Sequence, residues 1–249
     1  MADNKITELT EDTAPALTDL IATVEDPSGT PVTKKTTLLT LQNLLLSDGW
    51  ISANGTWTYA SASTITVPSG AASKYKVGDK IKWTQTTVKY GVISAVADTV
   101  LTIIVNTDYT VANAAITLNY YSHDENPLGF PNDFKYTPTV TGFSSAPSDH
   151  TYRYSVHGRT VYLTFDTSTN GGTSDTTGFT FTLPVAAKNG HSQVWFAIRV
   201  YDNSAFQAAP GMGTVTSDST AATLYKDGAA AGWTASNLKT ARGELFYFI

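Results

Sequence analysis

Histidines and carboxylates are the first places to look for chemistry in this chain. It has no cysteine, hence no thiolate nucleophile, thiolate metal site or disulfide. His123, His150, His157 and His191 stand far apart, and none has a second histidine at helical i,i+4 spacing. His123-Asp124-Glu125 is a run of metal-binding types, but three consecutive side chains cannot all turn to one ion, so a solvated segment is expected there. No G-x-S-x-G elbow and no phosphate-cradling loop occurs. Glycoside hydrolysis needs two carboxylates across a cleft. Asp166, Asp175, Asp202, Asp218, Asp227 and Glu244 nearly all stand beside Ser, Thr, Asn or Gly, where turn formation accounts for them. The expectation is a protein that is not an enzyme, with no catalytic residue, no metal ligand and no cofactor.

Binding has more to recommend it, and it rests on aromatics. In Ser192–Tyr201 alternation puts Val194, Phe196, Ile198 and Val200 on one face and Trp195, Arg199 and Tyr201 on the other. With Tyr152, Tyr154 and Trp233, the second set offers ring faces for stacking on sugars, while nearby Asn, Asp and Arg take hydroxyl hydrogen bonds. The competing use of the same side chains is to fill a second layer of the fold or a seam between subunits. Thr167–Thr177 and Tyr201–Ser219 read as polar, glycine-bearing loops long enough to form recognition surfaces.

The elements that must position these groups are β-strands. Of the 249 residues, charged types are only 15%, against about 25% in ordinary globular domains. The net charge of −5 falls entirely in residues 1–49, where Asp3, Glu8, Glu11, Asp12, Asp19, Glu25, Asp26 and Asp48 face only Lys5, Lys34 and Lys35. The rest balances and shows no basic patch, so no nucleic-acid partner is expected. Neither a signal peptide nor an apolar run long enough for a membrane span is visible, so no membrane contact is expected.

Along the chain, residues 1–49 read as an extended N-terminal segment with one short helix. Asp19–Val24 is a short strand, Asp26-Pro27-Ser28-Gly29 a turn, and Pro31 keeps the next few residues extended. Thr36 or Thr37 is placed to cap a helix from about Leu38 to Leu46, with Leu38, Leu41 and Leu45 on one stripe. So short a helix needs a partner surface: the body of the same chain, or the same helix from sister chains around an axis, the second being the reading adopted.

Residues 50–121 carry six or so short strands spaced as in a small β-barrel or sandwich. There Lys74, Lys76, Lys80 and Lys82 alternate with Tyr75, Val77, Ile81 and Trp83 and are expected to line the solvent face. Ser122–Pro131 is the clearest linker. Residues 132–249 read as an antiparallel β-sandwich of jelly-roll type, with Val161, Leu163 and Phe165 inward. The closing strand Gly243–Ile249 is so apolar that it is expected to be paired within a sheet or at a subunit seam. The fold class is therefore mainly β.

The stretch KITELTE…APALTDLIATVEDPSGTPVTKKTTLLTLQNLL resembles the N-terminal segment of many tailed-bacteriophage fibre and minor structural proteins. Leu9, Asp19-Leu20, Val24, Lys34-Lys35 and Leu41 fall on that pattern over about 45 residues. The segments YTPTVTGFSS…TYRYSVHGRTVYLTFDTS…TFTLPVAA and GWTASNLKTARGELFYFI resemble, more weakly, the C-terminal heads of such proteins, although Ser236-Asn237-Leu238-Lys239 stands where many relatives have a glycine turn. The resemblance implies a homotrimer on the virion surface, made in the bacterial host cytoplasm. Ile6, Leu9, Leu17, Leu20, Ile21 and Val24 would anchor it to other virion proteins of tail, baseplate or capsid, and the leucine helix would lie at the trimer axis. A short tail fibre or spike for host-surface attachment, by way of a glycan, is the function implied. The alternative is a capsid-surface head fibre or decoration protein. Phage depolymerases are usually longer, with repetitive β-helix coils, and no such repeat is visible.

Overall fold

A computed structural model of the chain describes residues 16, 18–25, 28–30, 32–41, 48–147, 150–167, 172–188 and 193–249, with residues 24 and 25 described in their backbone only. It divides into two compact units, Met1–Trp50 and Ile51–Ile249.

The first unit is built on a hairpin. Strand β1 (Leu20–Glu25) pairs antiparallel with β2 (Val32–Thr37), from Leu20 opposite Thr37 to Glu25 opposite Val32. The expected strand is present, and the stretch expected to be merely extended is its partner. Residues 38–41 are helical, and the Thr40 amide donates to Thr37 Oγ1 at 3.0 Å, an N-cap that satisfies one of the free donors of the first turn. Leu38 and Leu41 are half-buried there, while Leu20, Val32 and Leu39 are exposed. Ile6, Leu9, Leu17, Leu45 and the Val24 side chain lie outside the described residues.

The second unit is built on two large antiparallel sheets, each curled by the same device. The first comprises β3 (Ile51–Ser52), β4 (Thr58–Ser61), β5 (Thr64–Thr66), β6 (Lys80–Gln85), β7 (Thr87–Ala97), β8 (Val100–Val105) and β9 (Thr117–Ser122). Their order is β3-β9-β6-β7-β8-β5-β4. Flat, its edges would stand roughly 29 Å apart. The chain from Ser52 on one edge to Thr58 on the other reaches at most about 20 Å, so the sheet must curl. Trp57, Ile65, Tyr75, Ile81, Trp83, Ile93, Leu101 and Ile103 are buried together in its concave side, as a small barrel requires.

The second sheet takes β10 (Phe134–Lys135), β11 (Val140–Thr141), β13 (Thr151–His157), β14 (Thr160–Asp166), β16 (Thr180–Thr182), β17 (Val194–Asp202), β18 (Ala205–Phe206), β19 (Gly211–Val215), β20 (Ala221–Tyr225) and β21 (Thr240–Phe248); β12 (Phe143–Ser145) and β15 (Thr173–Ser174) pair separately. The order is β10-β13-β14-β21-β17-β19-β20-β16-β11, with β18 beside β17. Its edges would be roughly 38 Å apart if flat, yet Lys135 and Val140 can be separated by no more than about 17 Å. Tyr152 of β13 accordingly meets Phe181 of β16 with ring centroids 5.2 Å apart. The body expected as a sandwich is thus hydrogen-bonded as one continuous curled sheet. The apolar strand β21 lies in its interior, paired with β14 on one side and β17 on the other.

The two sheets share a core. The cross-strand row Ser122, Lys80, Val92, Ile104 lies on the convex side of the first sheet, and all four residues are buried. Val92 and Ile104 belong to the cluster that contains Phe134, Tyr154 and Val156 of the second sheet. Tyr154 donates to the Val105 carbonyl at 2.7 Å. Lys80 corrects the expected solvent face: it is 1% exposed, and its ammonium donates to the Val156 carbonyl at 2.7 Å. Alternation assigns one face of β6 to a core and leaves the other to water, but here a second sheet covers that other face. Ser122–Pro131 connects the two sheets without being a free spacer, because Phe130 packs on Tyr90 and Phe134 and Glu125 pairs with Lys80 at 3.3 Å. Gly78, at φ 98°, lets the chains touch, since a Cβ there would meet the Gly158 carbonyl oxygen at 2.9 Å.

Among the described residues no helix is long and apolar enough to cross a membrane.

Candidate functional site

The outer face of the central strands carries the aromatic residues that the core does not use. In β14 and β21 the register sets Tyr162 opposite Phe246, Thr164 opposite Glu244 and Asp166 opposite Arg242. Val161, Leu163, Leu245 and Tyr247 of the same strands point inward and are buried. On the other side of β21 the ladder to β17 runs only from Tyr201–Thr240 to Ile198–Gly243. Beyond that pair, Val194–Ala197 bonds to β19 alone and Glu244–Phe248 to β14. The strands part, and a groove of about 400 Å³ opens between them.

Tyr162, Thr164, Glu244 and Phe246 form one bank of this groove and Trp195 the other, while Phe196 and Leu245 reach it from the core side. Tyr162, Trp195 and Phe246 are each about half exposed. Tyr162 and Phe246 lie with ring centroids 6.2 Å apart, and His157 and Phe248 extend the row at 5.5 and 6.3 Å. Ring faces on both banks above an apolar floor, with a carboxylate and a hydroxyl between them, suit a small ligand with C–H faces and polar substituents.

The residues singled out in the sequence divide. Trp195 is in the groove. Arg199 and Tyr201 share its strand face but pack on Phe206 instead, with the guanidinium 4.8 Å from the ring centroid and the tyrosine ring at 5.0 Å. Tyr152, Tyr154 and Trp233 are corrections: each is 2% exposed or less and cannot meet a ligand at the surface. Curling of the sheet brings these faces of β13 inside, so Tyr152 stacks on Phe165 and Tyr154 meets Phe134 edge-on. Trp233 donates its Nε1–H to the Leu224 carbonyl at 2.7 Å and packs on Phe179. The expected loop Tyr201–Ser219 also contains the end of β17 and the strands β18 and β19, which make nine of its nineteen residues strand, and part of Thr167–Thr177 lies outside the described residues. Sequence reasoning misses Tyr162, Thr164, Glu244 and Phe246. The signal for them is the outward half of the alternation in Thr160–Asp166 and Gly243–Ile249.

Comparison of the sequence with known families, and of sequence and fold with characterised proteins and solved structures, gives no match.

Several histidines, carboxylates and one lysine elsewhere are tied into the fold. His123 Nδ1 lies 2.9 Å from Asp79 Oδ1 and His157 Nδ1 3.6 Å from Glu125. His150 Nδ1 is 2.9 Å from the Pro147 carbonyl oxygen, and His191 lies outside the described residues. No group of three His, Asp or Glu that could hold a metal occurs among the described residues. Asp227 accepts from the amides of Ala229 and Ala231, as turn-forming carboxylates do, whereas buried Asp202, at the end of β17, accepts from the amide and hydroxyl of Thr234, 32 residues away. Lys239, fully buried, donates to the carbonyls of Thr176 and Gly178 at 3.0 and 2.7 Å beneath the Phe143 ring. Asn237, at φ 59°, supplies a left-handed turn in Ser236–Lys239.

Proposed function

We propose that the chain is a non-enzymatic bacteriophage virion protein, a short homotrimeric tail fibre or spike that attaches the particle to a host-surface glycan. The observation that carries this reading is the aromatic groove between β17 and β21. Three half-exposed rings on a rigid sheet form a ready platform for sugar rings. The groove has one carboxylate in its lining, Glu244, which supports binding over hydrolysis by a carboxylate pair. The separate N-terminal unit, with Leu20, Val32 and Leu39 exposed, supports a tether that docks on another virion protein. The helix beginning at Leu38 would meet its sister copies at the trimer axis, and the second curled sheet would be the jelly-roll-type head.

A capsid-surface head fibre or decoration protein is the second reading. It is favoured by the sequence, which shows neither heptads nor Gly-X-Y repeats of the kind that build a long shaft between anchor and head.

An array of bacterial surface polysaccharides probed with the full chain tests the attachment role. Wild-type protein is expected to bind at least one polysaccharide, and Trp195→Ala to lose roughly tenfold or more in affinity, about 1.4 kcal/mol. Binding to none, or equal binding by the variant, overturns it.

A further inference from the structure

Glu244 is the charged residue in the groove lining, and its carboxylate has no ion pair or hydrogen bond among the described residues. The nearest cation along its strand face is already engaged, since Arg242 Nε lies 2.9 Å from Asp166 Oδ1 one cross-strand row away. An uncompensated carboxylate thus sits between aromatic rings whose faces are themselves electron-rich. All these features attract positive charge. Resting on the attachment reading above, we infer that the groove selects a sugar bearing a protonated amine, an unacetylated hexosamine unit. The ammonium sits on Glu244, the C–H face of the ring stacks on Trp195, and Thr164 Oγ1 meets a ring hydroxyl.

A second copy of this chain fits the groove less well. Homomeric interface cores are depleted of charge, and Glu244 stands in the middle of the patch. The groove volume of about 400 Å³ falls in the range of roughly 300–1,000 Å³ typical of small-ligand sites.

The chain reports on its own groove. Trp195 is 52% exposed, whereas Trp50, Trp57, Trp83 and Trp233 are 7% or less, so acrylamide-quenchable fluorescence belongs to Trp195. Full-length protein is titrated with a glucosamine tetrasaccharide, its fully N-acetylated counterpart and a neutral glucose tetrasaccharide. The glucosamine oligomer is expected to shield Trp195 at roughly tenfold lower concentration than either of the others. Glu244→Gln, with an unchanged circular dichroism spectrum, is expected to abolish that preference. Equal shielding by all three sugars overturns the amine inference and leaves the sugar-binding reading standing. Shielding by none overturns both. Shielding that grows with protein concentration alone assigns the groove to a second copy and overturns the inference.

Discussion

The ammonium of Lys80 lies 2.7 Å from the carbonyl oxygen of Val156, a residue 76 positions further along the chain. This bond ties the convex side of the first sheet to the second. Glu125 approaches the same ammonium at 3.3 Å and the Phe130 ring centroid lies 5.6 Å away. Burial lowers the lysine pKa from its ordinary value, while Glu125 and Asp79 work in the opposite direction.

Lys80→Met keeps much of the packed volume but leaves the Val156 carbonyl unsatisfied, because half-exposed Glu125 can hydrate and the carbonyl cannot. A loss of about 2 kcal/mol is expected, read as a lower urea midpoint at constant slope. A change below about 0.5 kcal/mol would show that the seam does not depend on this bond.

Four tyrosines of the second sheet's core divide by their hydroxyls. Tyr154 donates to Val105 at 2.7 Å and Tyr247 to Val185 at 3.0 Å, whereas the buried hydroxyls of Tyr136 and Tyr152 have no partner among the described residues. Tyr154→Phe and Tyr247→Phe are each expected to cost about 1 kcal/mol. Tyr136→Phe and Tyr152→Phe relieve a desolvated hydroxyl and should be neutral or stabilising by about 1 kcal/mol. Thermal unfolding of the four variants side by side separates the pairs.

Alkaline pH should act in two opposed phases. Burial holds Lys239 down to about 8 from an ordinary 10.5, against the opposite pull of Asp175 and Asp202. Between those values the unfolded chain binds the extra proton, so stability rises with pH across the window. Burial raises Tyr136, Tyr152, Tyr154 and Tyr247 above the ordinary 10.0. Their contribution is complete below pH 10 and is lost above it, where the unfolded chain ionises first. A stability maximum near pH 10 is expected in denaturant titrations, and Lys239→Met should shrink the rising limb, to which buried Lys80 also contributes, while leaving the falling limb unchanged.

Gly213 leaves no space for a methyl group, since a Cβ there would meet the Phe196 ring at 2.1 Å. Gly213→Ala must displace Phe196, whose ring reaches the groove from the core. A loss of about 1–3 kcal/mol is expected, with altered acrylamide quenching of Trp195 in the folded variant.

Strand positions are largely legible in the sequence, because period-two alternation in Thr160–Asp166 and Val194–Asp202 reflects the half-buried sheet directly. The capping role of Thr37 is legible too, since it depends on residues three apart. Which buried face meets which partner is not. Lys80 alternates with Ile81 and Trp83 as a surface lysine would, and only the second sheet makes its face an interior. Tyr152 and Tyr154 have the composition of a sugar platform, and their burial comes from a curl set by the distance between Lys135 and Val140. The groove arises where the β17–β21 ladder stops at Ile198–Gly243, a departure from pairing that neither strand's residues encode alone.

Mass photometry of the full chain, beside a chain beginning at Gly49, tests the account most directly. Full-length protein is expected at three times the 26.6 kDa of a single copy. A trimer that survives truncation would place the seam in the β body and leave the leucine helix to docking; a trimer that dissociates would place it at the helix. Single copies of both chains would contradict the trimeric fibre and leave a monomeric decoration protein as the better description.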